Sequence, residues 1–208
     1  LAFTTQPSSA TAGIAIAPAV EVTLYDAFGN TCTGTADTVT LAIDSNPGGG
    51  TLSGTTTANP SNGVATFADL SINKSGTGYT LEATSATAVA HTSALFDISA
   101  GSVSQLAIID PTDGTVDAAV TVTVQAQDSL GNRVPGWAGS VTLVSDGSAT
   151  GAGVVTLTDG EGTIDISDTV PETVDLWLDD THSTGLDTTS TQDVSFAVGA
   201  PERFVILD

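Results

Sequence analysis

Apolar and polar residues alternate along most of the chain with a period of two, the pattern of a β-strand with one face in a core and one in water. Val20, Val22 and Leu24 alternate with polar or amphipathic neighbours, and residues 120–125 repeat the arrangement with three valines. No segment sustains helical spacing, and Gly, Asn, Asp, Ser and Pro cluster about every ten residues as turn signals. The pattern predicts an all-β chain of short strands.

The alternating pattern occurs twice in the same order. Three pairs of segments match at spacings near one hundred residues: YDAFGN (25–30) with QDSLGN (127–132), TVTLAID (38–44) with SVTLVSD (140–146), and NGVATFADL (62–70) with EGTIDISDT (161–169). At the end, FVILD (204–208) echoes LAIID (106–110). We predict two tandem β-sandwiches of about seven strands each, at 1–101 and 102–200, and a C-terminal strand extension at 201–208 that belongs to a further or neighbouring unit.

The repeated phrase D-x-x-G-N predicts a chain reversal at the end of a strand. Its residues are Asp26, Gly29 and Asn30 in the first unit and Asp128, Gly131 and Asn132 in the second. The aspartate can accept backbone N–H bonds across the turn, and Gly-Asn tolerates positive φ. The alternative is that the aspartate also binds a cation.

These residues resemble the bacterial immunoglobulin-like repeats of the invasin and intimin type, which occur in cell-surface adhesins and other large exported proteins. The resemblance rests on the Val/Thr strand before the turn, the D-x-x-G-N turn, the V-T-L strand after it, and the hairpins at 62–67 and 161–166. It implies two tandem immunoglobulin-like β-sandwiches and an extracellular, cell-surface location. The second unit departs from the pattern after Ile166. Such repeats mostly serve as spacers, so their motifs predict fold better than function.

Charge narrows the range of partners. The formal net charge is −21, and seventeen of the 24 acidic residues lie in residues 101–208. This charge would repel nucleic acid and anionic lipid, and no apolar run is long enough for membrane insertion. It offers oxygen ligands to hard cations, so calcium is the one cofactor that the sequence suggests. Cys32 is the sole cysteine, which excludes an internal disulfide but not export.

Acidic residues in the second unit predict a candidate calcium site at Asp159, Asp179 and Asp180. Alternation in 163–167 and 174–179 sends Asp165, Asp175, Trp177 and Asp179 outward. If those two strands are neighbours, their carboxylates gather on one surface and repel one another unless a cation or salt screens them. The alternative is a solvated acidic face, because no preformed calcium loop is present in the sequence.

Trp177 is the exposed aromatic that alternation predicts, and large aromatic side chains are seldom left in water. Three interpretations stay open: a platform for stacking a sugar, a contact with the neighbouring unit, or a contact with another chain.

The sequence offers few candidate catalytic residues. His91 and His182 are the only histidines, and no nucleophile elbow surrounds a serine. We therefore predict that the chain is not an enzyme.

The apolar end of the chain, Phe204, Val205, Ile206 and Leu207, is expected to pair as an inter-subunit strand. Because the chain begins at Leu1 and lacks Met, we interpret it as processed or excised from something longer. Two functions compete: a building block of a cell-surface adhesin array whose partners are flanking repeats, or a head-to-tail filament subunit that donates its C-terminal strand to the next copy. A carbohydrate-binding or spacer module of an exported polysaccharide-acting enzyme is the alternative, with a cell-surface or glycan receptor as partner.

Overall fold

The computed structural model describes residues 1–200, which contain strands, turns and loops and no helix. This part of the chain therefore offers no helix of the length and apolarity that crossing a bilayer requires. By their internal contacts the described residues divide into two compact units, Leu1–Gly101 with Leu130–Asn132, and Ser102–Ser129 with 133–200.

The first unit contains twelve short strands within its described residues. They are β1 (Ala2–Thr5), β2 (Ala10–Thr11), β3 (Val20–Thr23), β4 (Val39–Ile43), β5 (Leu52–Ser53), β6 (Thr57–Ala58), β7 (Val64–Phe67), β8 (Ser71–Ile72), β9 (Gly76–Tyr79), β10 (Leu81–Thr84), β11 (His91–Thr92) and β12 (Phe96–Ser99). The larger sheets have the orders β1-β3-β7, β11-β10-β4-β6 and β2-β12-β9, and β5 pairs with β8. Their buried faces share one apolar cluster that includes Val20, Phe67, Tyr79 and Leu81.

The second unit has longer strands. They are β13 (Gln105–Ile109), β14 (Gly114–Thr115), β15 (Val120–Gln127), β16 (Gly139–Ser145), β17 (Val154–Leu157), β18 (Glu161–Ile166), β19 (Thr173–Asp179) and β20 (Thr191–Ala197). They form two sheets, β13-β15-β18 and β14-β20-β19-β16-β17. The inward residues of both sheets form a separate core around Val122, Leu143, Leu157 and Leu176.

Both units have the strand order of an immunoglobulin-like sandwich. In the usual lettering, β13-β15-β18 is A-B-E, and the other sheet places G beside F and F beside C. The first unit repeats A-B-E as β1-β3-β7 and G-F-C as β11-β10-β4. Each unit also has a two-residue strand parallel to its last strand, β2 beside β12 and β14 beside β20. The predicted all-β, immunoglobulin-like fold is confirmed by this order.

The first unit contains more strands than the predicted seven, in part because its last two long strands are interrupted. The chain passes from β9 to β10 at Thr80, whose hydroxyl accepts the Ser45 amide (3.0 Å) and donates to Asp44 Oδ2 (3.1 Å). A second break follows β11 at Ser93, whose hydroxyl accepts the Leu81 amide (3.0 Å). These side chains replace ladder bonds locally, so one strand serves two sheets.

The two acidic strands are not neighbours, so the condition for gathering all their carboxylates on one surface is not met. β18 pairs with β15, whereas β19 lies between β16 and β20 in the other sheet. Asp165 therefore does not join Asp175, Trp177 and Asp179, and its carboxylate accepts the Thr121 hydroxyl at 2.6 Å. The sandwich order puts strand E and strand F in different sheets, although they are consecutive in the sequence.

Candidate functional site

A shallow groove on the outer face of the five-stranded sheet is the strongest candidate site in the second unit. It has a volume of about 460 Å³, and its lining residues are Asp146, Asp175, Leu176, Trp177, Thr191, Gln192 and Asp193. β19 and β20 form its floor, and Asp146 comes from the turn directly after β16. The groove combines one aromatic ring with three carboxylates.

Trp177 faces outward because β19 alternates strictly. Val174, Leu176 and Leu178 are buried, whereas Asp175, Trp177 and Asp179 are exposed. The Trp177 side chain keeps 37% of its surface in water. Its backbone partners are Val144 on one side and Thr191 on the other. The prediction that Trp177 lies on the outer face agrees with this geometry, and its ligand stays a matter for proposal.

The carboxylates of the groove are arranged around a backbone contact. Asp146 Oδ1 accepts the Asp175 amide at 2.7 Å, which fixes the turn after β16 against β19. Asp175 lies opposite Asp193 across the β19–β20 ladder. No Lys, Arg or His side chain of residues 1–200 lines the groove, and the Arg133 side chain pairs with Asp159 instead. The groove is therefore an anionic surface with an aromatic platform.

This arrangement offers two kinds of contact to a ligand. An indole face accepts an apolar or cationic surface, and carboxylates accept hydrogen bonds from hydroxyls or ammonium groups. No serine, cysteine or histidine lies among the lining residues. The chemistry available is recognition of a neutral polyhydroxylated or a positively charged ligand.

Two of the three predicted calcium ligands, Asp159 and Asp180, accept hydrogen bonds within turns. Asp159 Oδ1 accepts the Gly136 amide at 2.7 Å, and its Oδ2 lies 3.6 Å from Arg133 Nη1. Asp180 accepts the amides of Thr184 (2.8 Å) and Gly185 (2.9 Å), and these bonds lower the pKa of its carboxyl group.

Asp179 ends β19 opposite Thr142. In the described part of the chain, no group of three or more His, Cys, Asp or Glu side chains is placed to hold a metal ion. The arrangement thus gives Asp159 and Asp180 the role of turn acceptors.

The first D-x-x-G-N turn has the geometry that its sequence predicts. Asp26 Oδ1 accepts the amides of Phe28 (2.9 Å) and Asn30 (2.8 Å), and Oδ2 accepts the Asn30 side-chain amide (3.0 Å). The Asn30 side chain is the largest cause of a lowered Asp26 pKa. Gly29 has φ +83°. The aspartate thus acts as the acceptor that closes the turn.

The second copy of the turn is more enclosed. Gly131 has φ +71°, and Asp128 and Asn132 are buried. The bridge Gln127–Arg133 closes the turn as Tyr25–Thr31 closes the first. The predicted inter-subunit strand, Phe204, Val205, Ile206 and Leu207, lies outside the described residues.

Sequence reasoning missed Asp146 and Asp193 as members of the groove. Both residues were visible as acids in or beside strand patterns, in "VSDGS" and "TQDVSF". Their proximity to Trp177 requires the pairing of β19 with β16 and β20, which alternation along one strand does not specify.

The chain is similar to several solved structures. No protein-family model and no curated protein matches the chain. The D0-D1 domain of intimin is 18% identical with a TM-score of 0.35, and the alignment covers 94% of this chain and 99% of that one.

The Escherichia coli adhesin FdeC is 18% identical with a TM-score of 0.42, and covers 93% of this chain and 62% of its own. Domains 4–9 of the surface layer protein SbsC are 19% identical with a TM-score of 0.36, over 95% of this chain and 31% of that one. The chain thus spans less than two thirds of the last two structures. At these identities and TM-scores, the likeness carries no argument about activity or partners.

Proposed function

We propose that this chain is a non-enzymatic structural module of an extracellular array, in which immunoglobulin-like units in series hold a cell-surface adhesin or layer at a distance from its anchor. The observation that carries the proposal is the repetition of one strand order in both units, A-B-E in one sheet and G-F-C in the other. Tandem copies of one small sandwich extend a chain by a fixed increment per unit, which is what a spacer requires.

Charge supports the same role. A net charge of −21 keeps a long, repetitive surface soluble and opposes collapse of neighbouring arrays onto one another. Strands that pair along their whole length also resist extension, because ladder bonds loaded in shear must break together. β15 and β18 share six consecutive residue pairs, and β13 and β15 share five.

Single-molecule force spectroscopy of the 208-residue chain between two handles tests this proposal. We expect two separate unfolding events, each releasing about 100 residues, or about 350 Å of contour length at 3.5 Å per residue. A matched control, Leu176→Ala, removes a buried side chain of the second core and should lower the force of one event alone. If the chain extends at the low force of an unstructured linker, without discrete unfolding events, the spacer proposal is contradicted.

The filament alternative needs a site for the donated strand. In the first unit, the place of strand A is occupied by the chain's own β1, which pairs with β3. A donated strand would therefore have to displace β1 or add to a free edge such as that of β1 itself. This favours the array over strand exchange as the principal proposal.

Deletion of residues 202–208 distinguishes the array proposal from the filament proposal. Electron microscopy of concentrated full-length chain and of the deletion variant shows whether fibres form and whether they depend on the tail. Fibres that vanish with the deletion support the filament. Monomers in both samples support the array.

A glycan-binding role is the second candidate, and the Trp177 groove is the observation that favours it. An exposed indole beside hydrogen-bonding carboxylates is a common way to hold a sugar ring. Glycan-array binding that is lost in Trp177→Ala and kept in Trp137→Ala supports this role, because Trp137 packs against the second core rather than lining the groove. If the unmodified chain gives no specific signal on the glycan array, the glycan-binding role is contradicted.

A further inference from the structure

A buried carboxylate in the second unit lacks a partner for one of its oxygens. Asp168 is 1% exposed, and its Oδ2 is the one buried side-chain N or O atom in residues 1–200 without a hydrogen-bond partner. Its other oxygen, Oδ1, accepts the Ser148 hydroxyl (2.6 Å) and the Val170 amide (2.8 Å). Leaving a charged oxygen buried and unpaired costs more free energy than any other unsatisfied polar group.

A second carboxylate meets the first at the same hydroxyl. Glu172 Oε1 lies 2.8 Å from Ser148 Oγ, and it also accepts the Ser148 amide at 2.6 Å. A serine hydroxyl has a single proton to donate, so it can satisfy one of the two carboxylates and not both. The cluster of Asp168, Ser148 and Glu172 therefore lacks a donor or cation in two places. Asp168 Oδ2 has no hydrogen-bond partner, and the Ser148 hydroxyl can donate to only one of the two carboxylates.

A bound cation would supply the missing positive charge to both carboxylates at once, because each offers oxygen atoms at this point.

The equivalent place in the first unit carries an apolar residue. The Gly13 amide bonds to the Ile72 carbonyl (2.9 Å) as the Asp117 amide bonds to the Asp168 carbonyl (2.7 Å), so the buried Ile72 stands where the second unit has Asp168. The Thr51 amide bonds to the neutral side-chain oxygen of Asn73 (2.7 Å), whereas the Ser148 amide bonds to the Glu172 carboxylate. The same corner of the fold is therefore uncharged in the first unit and anionic in the second.

From this contrast we propose that Asp168, Glu172 and Ser148 form a binding site for one hard divalent cation, calcium, completed by water. All three side chains offer oxygen, the ligand that calcium takes in six- to eight-fold coordination. Ser148 Oγ lies 2.6 Å from Asp168 Oδ1 and 2.8 Å from Glu172 Oε1, so oxygens of all three side chains meet at one point where a single ion can contact them.

The exposure of the three side chains determines how an ion reaches the site and which ion the site prefers. Ser148 is exposed, Glu172 is half-buried and Asp168 is enclosed, so an ion enters from the serine side with part of its water shell. Calcium tolerates irregular geometry and retained water, whereas magnesium requires a near-ideal octahedron. These residues are distinct from Asp159, Asp179 and Asp180, whose acidity first suggested calcium.

Calcium titration of the chelator-treated 208-residue chain, followed by calorimetry and thermal unfolding, tests the site. With a dissociation constant of about 1 mM, typical of extracellular modules, 10 mM calcium should raise Tm by about 5–10 °C. Sodium chloride at equal ionic strength controls for screening, and magnesium chloride tests selectivity. Asp168→Asn and Glu172→Gln should abolish the difference between calcium and sodium, whereas Asp69→Asn, a turn aspartate of the first unit that bonds to Thr55, should retain it.

Two results overturn the proposal. One is a calcium response of the unmodified chain no greater than that in sodium chloride. The other is calcium binding by Glu172→Gln at unchanged affinity, which would place the ion elsewhere. Should Asp168→Asn fail to fold, the unmodified chain and Glu172→Gln still decide, because the Gln variant preserves the shape and the Ser148 amide bond.

Discussion

Asp175 and Asp193 stand directly opposite each other on β19 and β20, at the edge of the groove that contains Trp177. Like charges in a cross-strand pair destabilise a sheet. The strands nonetheless pair over five residues because Val174 and Val194, the next pair along, are both fully buried. Burial on the inner face thus outweighs repulsion on the outer face.

Replacing one member of this pair should stabilise the second unit. We expect Asp193→Asn to raise the free energy of unfolding by about 0.2–1 kcal/mol at low salt, because repulsion with Asp175 is removed. Urea unfolding at about 20 mM and 500 mM salt measures the effect, which should shrink as salt screens the charges. Asp179→Asn is the control, since Asp179 faces Thr142 and not an acid. A gain that is equal for both variants or independent of salt would refute the repulsion.

The inward faces of many strands and the positions of the main turns could be predicted from the sequence, because their causes are local. Alternation identifies which residues of β15 or β19 face inward, and D-x-x-G-N identifies where the chain turns. The groove could not be predicted, because Trp177 and Asp146 meet only through pairing between strands distant in the sequence. Consecutive strands β18 and β19 lie in different sheets, so adjacency in sequence was misleading for Asp165.

The interruptions of the first unit escaped prediction for a related reason. Thr80 and Ser93 sit within β-prone sequence, and nothing local distinguishes them from ladder residues. Their hydroxyls bond to backbone groups of other segments, Ser45 and Leu81. The unpaired Oδ2 of Asp168 could not be predicted either, because whether an atom lacks a hydrogen-bond partner depends on the residues packed around it in the folded chain.

Two glycines with positive φ should differ in their tolerance of alanine. Gly29 has φ +83° with open space around an added Cβ, so Gly29→Ala should cost about 1 kcal/mol from backbone conformation alone. Gly54 has φ +97°, and an added Cβ would collide with the carbonyl oxygen of Asp69. Gly54→Ala should therefore cost clearly more than Gly29→Ala in denaturant unfolding. Gly34, which has open space and no positive φ, is the neutral control; equal losses at 29 and 54 would show that the collision relaxes freely.

The hydroxyl of Tyr79 should contribute to the stability of the first core. Tyr79 is fully buried, and its hydroxyl donates to the Lys74 carbonyl at 2.8 Å. Tyr79→Phe keeps the ring and leaves that carbonyl without this donor, so we expect a loss of about 0.5–1.5 kcal/mol. Chemical denaturation measures it, with the exposed Tyr25→Phe as control. An unchanged midpoint for Tyr79→Phe would indicate that water replaces the hydroxyl.

Acid should weaken the fold through its turn aspartates. Hydrogen bonds lower the pKa of Asp26, chiefly from the Asn30 side chain, and that of Asp69, chiefly from the Thr55 amide. A depressed pKa means that the folded chain binds the proton less tightly than the unfolded chain, so this stabilisation is present above the ordinary value of 3.8 and is lost as pH falls through the lower folded value.

Asn30→Ala separates this effect from general acid denaturation. The variant loses the largest cause of the Asp26 shift while the backbone amides of Phe28 and Asn30 still bond to the carboxylate. It should be less stable than the unmodified chain at pH 7, and the two stabilities should converge as pH falls below the ordinary value of 3.8 and Asp26 becomes protonated. Urea unfolding across pH 7 to 2 gives the comparison. A constant difference over that range would mean that the Asn30 amide stabilises the turn without favouring the ionised carboxylate.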